Sequence, residues 1–419
     1  MMVAPGRQKA LAIARGPTRA MPARVGGVDR TSSRRWSGPV SAEYAHLQPL
    51  LCIASEHATD VDRDARFPTE ALGALREAGL MSSLVPAPLG GAEASLKAVA
   101  GICEVLARAC ASSAMMFAMH QASVAWLVLH HEAHDASRAL LQRLCAEQML
   151  FGIAGIAGMA DLAPVEGAAG GPGPALLQHH AEQFTLVIDG TTIPYGAYAD
   201  GLLLPAGEDG FVAAPKEQYK LERRESWDAL GMRGLCSDEF RVVVTGEPGQ
   251  ILHTARDGAG NLHAIVQLLH SAVWVGIAAS ALERAQAYSR GQGEAPHALM
   301  PGAARLAEAN ALLQMMRAHL GSALEQASSG PGGLPPRGPA FVDEMQVLRT
   351  GVSRSALALV NHAMMVCGMD GYRNDTDVSV ARHLRDLYAA PLGLGSARNA
   401  AIALASASDV TPSSDILPD

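Results

Sequence analysis

The chain has few aromatic residues and no cysteine pair spaced for metal binding or redox chemistry. Aromatic side chains make up 4% of its 419 residues. None of the six cysteines forms a Cys-x-x-Cys pair, which excludes the usual zinc spacings and favours reduced thiols in a cytoplasmic protein. The sequence also lacks a run of 18 consecutive apolar residues, and we therefore expect no membrane span.

A surplus of basic residues is absent as well. The formal net charge is -8, which argues against a nucleic-acid partner because phosphate recognition needs a basic surface. Apolar residues make up 49% of the chain, enough for a sizeable packed core. Residues 1–40 differ from the rest because they carry eight Lys and Arg residues and a single acid. We predict that 1–40 form a disordered basic arm.

Residues 41–150 carry the pattern of α-helices. In PTEALGALREAGL, Ala71, Leu72 and Leu75 lie on one apolar side of a helix, and Gly79 stands near its end. Two apolar segments meet at Ser112 and Ser113 and predict two further helices. We therefore predict an N-terminal α-helical domain over 41–150.

Residues 151–250 contain short strand patterns bounded by Gly and Pro. The stretch FTLVIDGTTIPYG predicts a β-hairpin that turns at Asp189-Gly190. Further strands are predicted in GLLLPA, GFVAAP and FRVVVTG. These segments predict a small middle β domain over 151–250.

The pattern returns to helix over 251–410. The stretch LHAIVQLLHSAVWVGIAASALERAQ is apolar on almost all sides in its first half, which is typical of a helix in the middle of a bundle. Two long helical stretches follow, and the segment after Tyr372 supplies a fourth helix. The fold class predicted is mostly α with a small β domain, and 411–419 form a tail.

Five stretches in this order resemble the acyl-CoA dehydrogenase superfamily over roughly residues 41–410. They are FPTEALGALREAGLMSSLVPAPLGG, LARACASSAMMFAMH, FTLVIDGTTIPYGAYADGLLL, SWDALGMRGLCSDEFRVVV and GMDGY followed by ARHLRD. The resemblance implies an N-terminal helical domain, a middle β-barrel-like domain and a C-terminal four-helix bundle. It also implies FAD held between the β domain and the bundle, in a homodimer or homotetramer.

The family's usual reaction gives an expected activity. A carboxylate removes a proton from the α-carbon of an acyl thioester, and a hydride leaves the β-carbon for the flavin. The resemblance therefore implies oxidation of the α,β carbon-carbon bond of an acyl-CoA or acyl-carrier-protein substrate. An electron-transfer partner or oxygen would then take the electrons from the flavin.

The residues that would supply this carboxylate are missing. The family's usual catalytic glutamate corresponds to Leu394, directly before Gly395. Some members carry the base on the central bundle helix, where this chain has Val266 and Gln267. None of these side chains accepts a proton, so the chain resembles a divergent member that lacks the glutamate.

Two histidines are candidates for the missing acid–base group. His120 lies in the helix where reduced-flavin monooxygenases of this fold carry an important histidine, and His270 lies on the central bundle helix. For both residues the alternative is a structural role, which for His120 is a buried ring bonded to a carbonyl group.

The resemblance also implies a set of cofactor-binding residues. These are Gly368, Gly371, Arg385, Gly395 and Ser396. Backbone N–H groups at the three glycines would bind the cofactor's phosphates or ring edge. Arg385 and the Asp that follows it hold the end of the bundle near the cofactor in the family, and the alternative is a packing pair.

Three functions stay open at this point. The first is an acyl-thioester dehydrogenase, in which another base replaces the glutamate. The second is a two-component monooxygenase of the same fold, which receives reduced flavin from a flavin reductase and reacts with oxygen. The third is a non-catalytic paralogue that acts as a binding subunit, because the flavin contacts are fewer than the family's pattern.

Overall fold

The computed structural model describes residues 41–154, 175–207, 210–252, 257–291, 302–330, 335–336 and 338–392. Helices come first, a β unit follows, and a second set of helices ends the described chain. The prediction of a mostly helical protein with a small β domain is confirmed. The predicted basic arm and tail, and the candidates Leu394, Gly395 and Ser396, lie outside the described residues.

Five α-helices precede the β unit in the part of the chain that the structure describes. They are α1 (Gln48–Arg63), α2 (Thr69–Glu77), α3 (Leu96–Ala109), α4 (Ala111–His130) and α5 (Asp135–Glu147). The Ser95 hydroxyl caps α3 by accepting a hydrogen bond from the Ala98 N–H at 3.1 Å. Helix α2 is followed by Gly79 in the left-handed conformation, which glycine adopts without a steric penalty. Extended backbone at Cys110 separates α3 from α4.

The β unit consists of two four-stranded sheets. Its strands are β1 (Phe151–Ile153), β2 (Leu176–His179), β3 (Phe184–Ile193), β4 (Gly201–Pro205), β5 (Phe211–Pro215), β6 (Tyr219–Ser226), β7 (Asp238–Gly246) and β8 (Ile251–Leu252). One sheet has the order β1-β4-β5-β8 and the other β2-β3-β7-β6. Only the β1–β4 pair among the described strands is parallel. Apolar side chains from both sheets pack into one shared core.

The predicted hairpin at Asp189-Gly190 is wrong, because β3 continues through this dipeptide as a single strand. Both halves of β3 pair antiparallel with β7, and the register shifts between Ile188 and Thr191. Gly190 has a φ of 71°, so the extra residue forms a β-bulge with a left-handed glycine. Pairing with β7 on both sides of the bulge keeps the chain from reversing there.

Among the described residues after the β unit, four helices form the C-terminal bundle. They are α6 (Asp257–Gly291), α7 (Ala303–Ala327), α8 (Pro339–Tyr372) and α9 (Ala381–Leu392). The described side chains of α6 from 261 to 282 are buried on every side, because α6 packs against α3 and α4 as well as α7 and α8. Helix α8 is interrupted at Gly368, whose φ of 56° and ψ of -138° are accessible to glycine alone without strain.

Of the helices that the structure describes, two are long and apolar enough to span a membrane by length and composition. They are α4 and the Asn261–Gly291 part of α6. Within this structure 94% of the apolar window of α4 and 100% of that of α6 are buried. Their composition is thus explained by contact with the protein's own core rather than with lipid.

The close approach of α6 to α3 predicts the effect of one substitution. A Cβ atom at Gly276 would lie 2.2 Å from the Glu104 carbonyl oxygen and 2.7 Å from the Ala107 Cβ. Gly276→Ala should therefore lower the free energy of unfolding by about 1–3 kcal/mol, measured by urea denaturation. Gly321→Ala in α7 is the matched control, because no atom lies within 4 Å of its Cβ position. It should raise stability by up to about 1 kcal/mol, and equal losses in the two variants would contradict this packing.

Candidate functional site

The end of α1, the turn after β6 and helix α9 meet at one residue, Asp62. The Asp62 carboxylate accepts two hydrogen bonds from the Arg385 guanidinium, at 2.8 and 2.5 Å. The Asp62 carbonyl oxygen accepts a third from Arg233 Nε at 2.8 Å. The two side chains of the ion pair are 16% and 27% exposed, so water screens the pair only in part. We call this contact region, formed by 61–62, 230–236 and 385–386, the junction.

The glycines of the turn let its backbone lie directly against its neighbours. A Cβ at Gly231 would lie 2.2 Å from the Arg385 carbonyl oxygen, and one at Gly234 would lie 2.4 Å from Val61 Cγ1. The Gly234 N–H donates to the Ser112 hydroxyl at 3.2 Å. These contacts give a physical reason for the Gly-x-Arg-Gly spacing that the sequence shows.

The carboxyl of Asp386 fixes the same turn from the bundle side. It is 3% exposed and accepts a hydrogen bond from the Met232 N–H at 2.7 Å. Burial raises the pKa of Asp386 to about 6, and the Met232 bond and nearby arginines offset only part of that effect. Arg385 and Asp386 therefore act as a clamp between α9 and the turn.

Left-handed backbone conformations are concentrated at the junction and its edge. Of six described non-glycine residues with positive φ, four lie here: Ala65, Tyr195, Met232 and Cys236. The Tyr195 N–H donates to the Leu235 carbonyl at 2.6 Å, and Cys236 Sγ donates to the Ala65 carbonyl at 3.5 Å. Each such residue is disfavoured by about 1–2 kcal/mol, and strain of this kind is typical of binding sites.

Apolar side chains remain exposed beside the strained segments. Tyr198, Trp227 and Leu230 are 47%, 49% and 61% exposed. One face of Tyr198 stacks on Phe67 with ring centroids 4.2 Å apart and planes 7° from parallel. Exposed large apolar side chains are available to a planar or apolar partner.

The buried hydroxyl of Ser113, close to the junction, has no hydrogen-bond partner among the described residues. Ser113 is in the first turn of α4, adjacent to the Ser112 that accepts the Gly234 N–H. Its side chain is 0% exposed, and its Oγ makes no hydrogen bond to any described residue. An unpaired buried hydroxyl is destabilising unless a ligand or another group bonds to it.

His120 joins three segments through both of its ring nitrogens. Nε2 lies 2.7 Å from the Met81 carbonyl oxygen, and Nδ1 accepts a hydrogen bond from the Phe151 N–H at 3.0 Å. Both bonds are made by the neutral ring that carries its proton on Nε2. Burial lowers the pKa of His120 to about 4. The structure thus places the ring between α4, residues 80–82 and β1, and a catalytic role would require release of one of these bonds.

His270 lies on α6 in a different environment. It is 8% exposed, its Nε2 has no described hydrogen-bond partner, and its ring contacts Trp274 with centroids 6.0 Å apart. Burial and the charge of Arg349 lower its pKa to about 3. No described hydrogen bond joins His270 to His120, so the structure does not bring the two candidate histidines into one acid–base pair.

The described cofactor candidates occupy the end of the bundle. Gly368 breaks α8, and Gly371 accepts a hydrogen bond from the Val380 N–H at 2.9 Å through its carbonyl. Arg385 gives its guanidinium to Asp62 and to the Leu230 carbonyl. Because Arg385 bonds to other residues of the same chain, it would affect a cofactor only indirectly, by fixing the position of the turn after β6.

Sequence reasoning missed Asp62 and Ser113. Asp62 is one of three aspartates in TDVDRDAR, and nothing in the local pattern separates it from its neighbours. Its role depends on Arg385, which lies 323 positions later in the chain.

Two family models match the chain. They are the acyl-CoA dehydrogenase N-terminal domain at residues 53–148 and the acyl-CoA dehydrogenase C-terminal domain at residues 266–405. The chain belongs to the acyl-CoA dehydrogenase family, and the resemblance inferred from its motifs is confirmed.

Relatives in this family differ in the reactions that their names describe. The chain is 25% identical over 350 residues to the probable acyl-CoA dehydrogenase FadE25 of Mycobacterium tuberculosis, covering 79% of this chain and 85% of that protein. It is 27% identical over 371 residues to the amino sugar nitrososynthase DnmZ of Streptomyces peucetius, covering 82% and 86%. The dibenzothiophene monooxygenase TdsC from Paenibacillus sp. A11-2, solved with FMN and indole, shares the fold with a TM-score of 0.69, 21% identity and 82% and 91% coverage.

Removing the Asp62 carboxylate should weaken the junction. Asp62→Asn leaves the Arg385 guanidinium without its anionic partner and should lower the free energy of unfolding by about 2 kcal/mol in urea denaturation. Asp64→Asn removes the carboxylate of an exposed pair with Arg63 and should change stability little. An Asp62→Asn protein as stable as the Asp64→Asn protein would contradict the clamp.

The buried Asp386 predicts a pH dependence of stability. Its pKa of about 6 in the folded protein exceeds that of an unfolded aspartate near 3.9. Its stabilising contribution is thus complete below about pH 4 and is lost as the pH rises through 6. Asp386→Asn does not titrate, so wild type should lose about 2 kcal/mol relative to this variant between pH 4 and 7. Urea denaturation at several pH values measures the difference, and a constant difference would show that the carboxyl titrates normally.

Proposed function

We propose that the protein is a flavin-dependent oxidoreductase that uses reduced flavin and molecular oxygen, as a two-component monooxygenase does. The observation that carries the proposal is the lack of a carboxylate base. By the family resemblance, Leu394 corresponds to the usual base and Val266 or Gln267 to the alternative one. No Asp or Glu occurs between Asp257 and Glu283. A reaction that begins with oxygen and reduced flavin does not require removal of an α-proton from a thioester.

The side chains that border the junction would suit a flavin ring. The ring is planar and apolar on both faces, whereas one edge carries carbonyl and N–H groups. Exposed aromatic side chains at Tyr198 and Trp227 suit the faces. The Ser113 hydroxyl has no described partner and would bond to the polar edge once the side chains that bury it move apart. When bound, the flavin would supply the redox chemistry with oxygen.

Backbone groups of the bundle would bind the remainder of the cofactor. The interruption of α8 at Gly368 leaves the helix with a non-helical residue between two helical segments. N–H groups at such a break are suited to phosphate oxygens. FAD was expected from the family resemblance, and FMN is the alternative because the related TdsC was solved with FMN.

The chain's own residues would hold and shield the substrate. Buried α4 and α6 provide a water-excluding wall. His120 is neutral and hydrogen-bonded through both ring nitrogens. It would hold β1 in a fixed position against α4 and would not exchange protons with the substrate. The strained turn, held by the Asp62–Arg385 pair, would keep the ring-binding surface rigid.

Dehydrogenation of an acyl thioester is the second candidate. The match to FadE25, which spans 85% of that protein, favours it. It would need His270 or His120 as a base, an unusually acidic substrate, or both. The electrons would pass to an electron-transfer partner.

One experiment separates these functions. We expect the purified protein to bind FMN or FAD, and the visible absorption spectrum of the flavin reports this binding. We also expect it to consume oxygen when a substrate is present and a flavin reductase with NADH supplies reduced flavin. Under anaerobic conditions a panel of acyl-CoA compounds should leave bound oxidised flavin coloured. Bleaching by an acyl-CoA would favour the dehydrogenase instead. Failure to bind either flavin would overturn both and favour a non-catalytic binding subunit.

The Ser113 hydroxyl predicts a specific effect on cofactor binding. Ser113→Ala should weaken flavin affinity by about three- to tenfold, because one hydrogen bond to the ring edge is lost. Ser123→Ala in the same helix is the control, since that hydroxyl bonds to the Met119 carbonyl within the helix. Fluorescence quenching of the free flavin on binding gives both affinities. Equal affinities would remove Ser113 from the site.

A further inference from the structure

Helices α6 and α8 enclose a cluster of polar side chains away from the junction. His263, Gln267, His270 and Trp274 follow one another at intervals of four, three and four residues and therefore share one face of α6. Gln346 and Arg349 face them from α8. We call these six residues the α6–α8 cluster. Its side chains at 263, 267, 270 and 346 are 8%, 0%, 8% and 5% exposed.

The hydrogen bonds within the cluster leave several polar atoms unused. The Gln267 amide nitrogen bonds to His263 Nε2 and to the Gln346 side-chain oxygen. Four buried atoms have no partner among the described residues: His263 Nδ1, Gln267 Oε1, His270 Nε2 and Arg349 Nε. Buried polar atoms in folded proteins are bonded in the great majority of cases, so four unpaired atoms in one cluster indicate that a ligand supplies the partners.

Arg349 makes the cluster electropositive. Burial lowers its pKa to about 10, and no described carboxylate offsets that burial, so the guanidinium is still charged at neutral pH. Burial first, and the charge of Arg349 second, lower the pKa of His263 and of His270, and both rings are therefore neutral. The Trp274 ring lies 5.7 Å from the guanidinium carbon and offsets part of the lost hydration. An anion beside this partly buried charge, whose Nε has no described partner, would stabilise it.

We propose that the α6–α8 cluster is a binding site for an oxyanion group, either a carboxylate or a phosphate, carried by a small ligand. The Arg349 guanidinium would donate to the oxyanion, and neutral histidine N–H groups at His263 or His270 would donate further hydrogen bonds. Arg349 is the one cluster residue that is not fully buried, so a ligand would approach from its side. The proposal does not rest on flavin binding at the junction.

The test uses the whole protein and two simple anions. The melting temperature is measured in inorganic phosphate and in acetate, each against sodium chloride at the same ionic strength. We expect a saturable rise with at least one anion. Tryptophan emission in the same titration gives the affinity, since Trp274 contacts both His270 and Arg349.

Arg349→Met and His270→Phe should lose the saturable response, with affinity reduced about tenfold or more. Arg317→Met is the matched control, because that arginine pairs with Glu104 outside the cluster, and its response should equal that of wild type. In chloride alone, Arg349→Met should melt at or above the wild-type temperature because an unpaired charge is removed. If Arg349→Met does not fold, the response of His270→Phe alone decides the test.

The anions distinguish the two ligand classes. A response to phosphate alone indicates a phosphate-bearing ligand, and a response to acetate alone indicates a carboxylate. The proposal is overturned if wild type responds to neither anion beyond chloride. It is also overturned if the two cluster variants respond as strongly as the Arg317→Met control, which would assign the effect to general salt stabilisation.

Discussion

The Asp62 carboxylate is the contact on which the geometry of the candidate site depends. It accepts two hydrogen bonds from the planar guanidinium of Arg385, while the main-chain carbonyl oxygen of Asp62 accepts one from Arg233. A forked pair of this kind fixes orientation as well as distance. The end of α1, the turn after β6 and helix α9 therefore cannot move independently. The edge of the β unit consequently has a fixed place beside the bundle.

This fixed frame explains how strained backbone persists beside it. Tyr195, Met232 and Cys236 hold left-handed conformations that an isolated segment would leave. Hydrogen bonds to Asp386, Leu235 and Ala65 hold them in place. Strain held by rigid neighbours is a common way to present side chains to a ligand. The exposed aromatic side chains of this region therefore lie on a backbone that its neighbours hold in one conformation.

The fold was predictable from the sequence wherever the local residue pattern and the long-range contacts of a segment favour the same structure. Helical periodicity located the helices before and after the β unit, and the ordered motifs identified the family. The Asp189-Gly190 turn signal misled because pairing with β7 continues on both sides of it. Strand β6 was missed because its charged sequence YKLERRES suits an exposed edge strand. The partners of His120 and Asp62 lie far away in the chain, so no local pattern could indicate them.

The central claim is that a flavin ring binds at the junction, in a chain that lacks the family's carboxylate base. A crystal structure of the protein with saturating FMN tests this most directly. The account predicts electron density for the ring between residues 193–199 and 227–236, in contact with Tyr198 or Trp227 and with the Ser113 hydroxyl. Density for the ring elsewhere, or side chains filling that space in a flavin-loaded crystal, would contradict it.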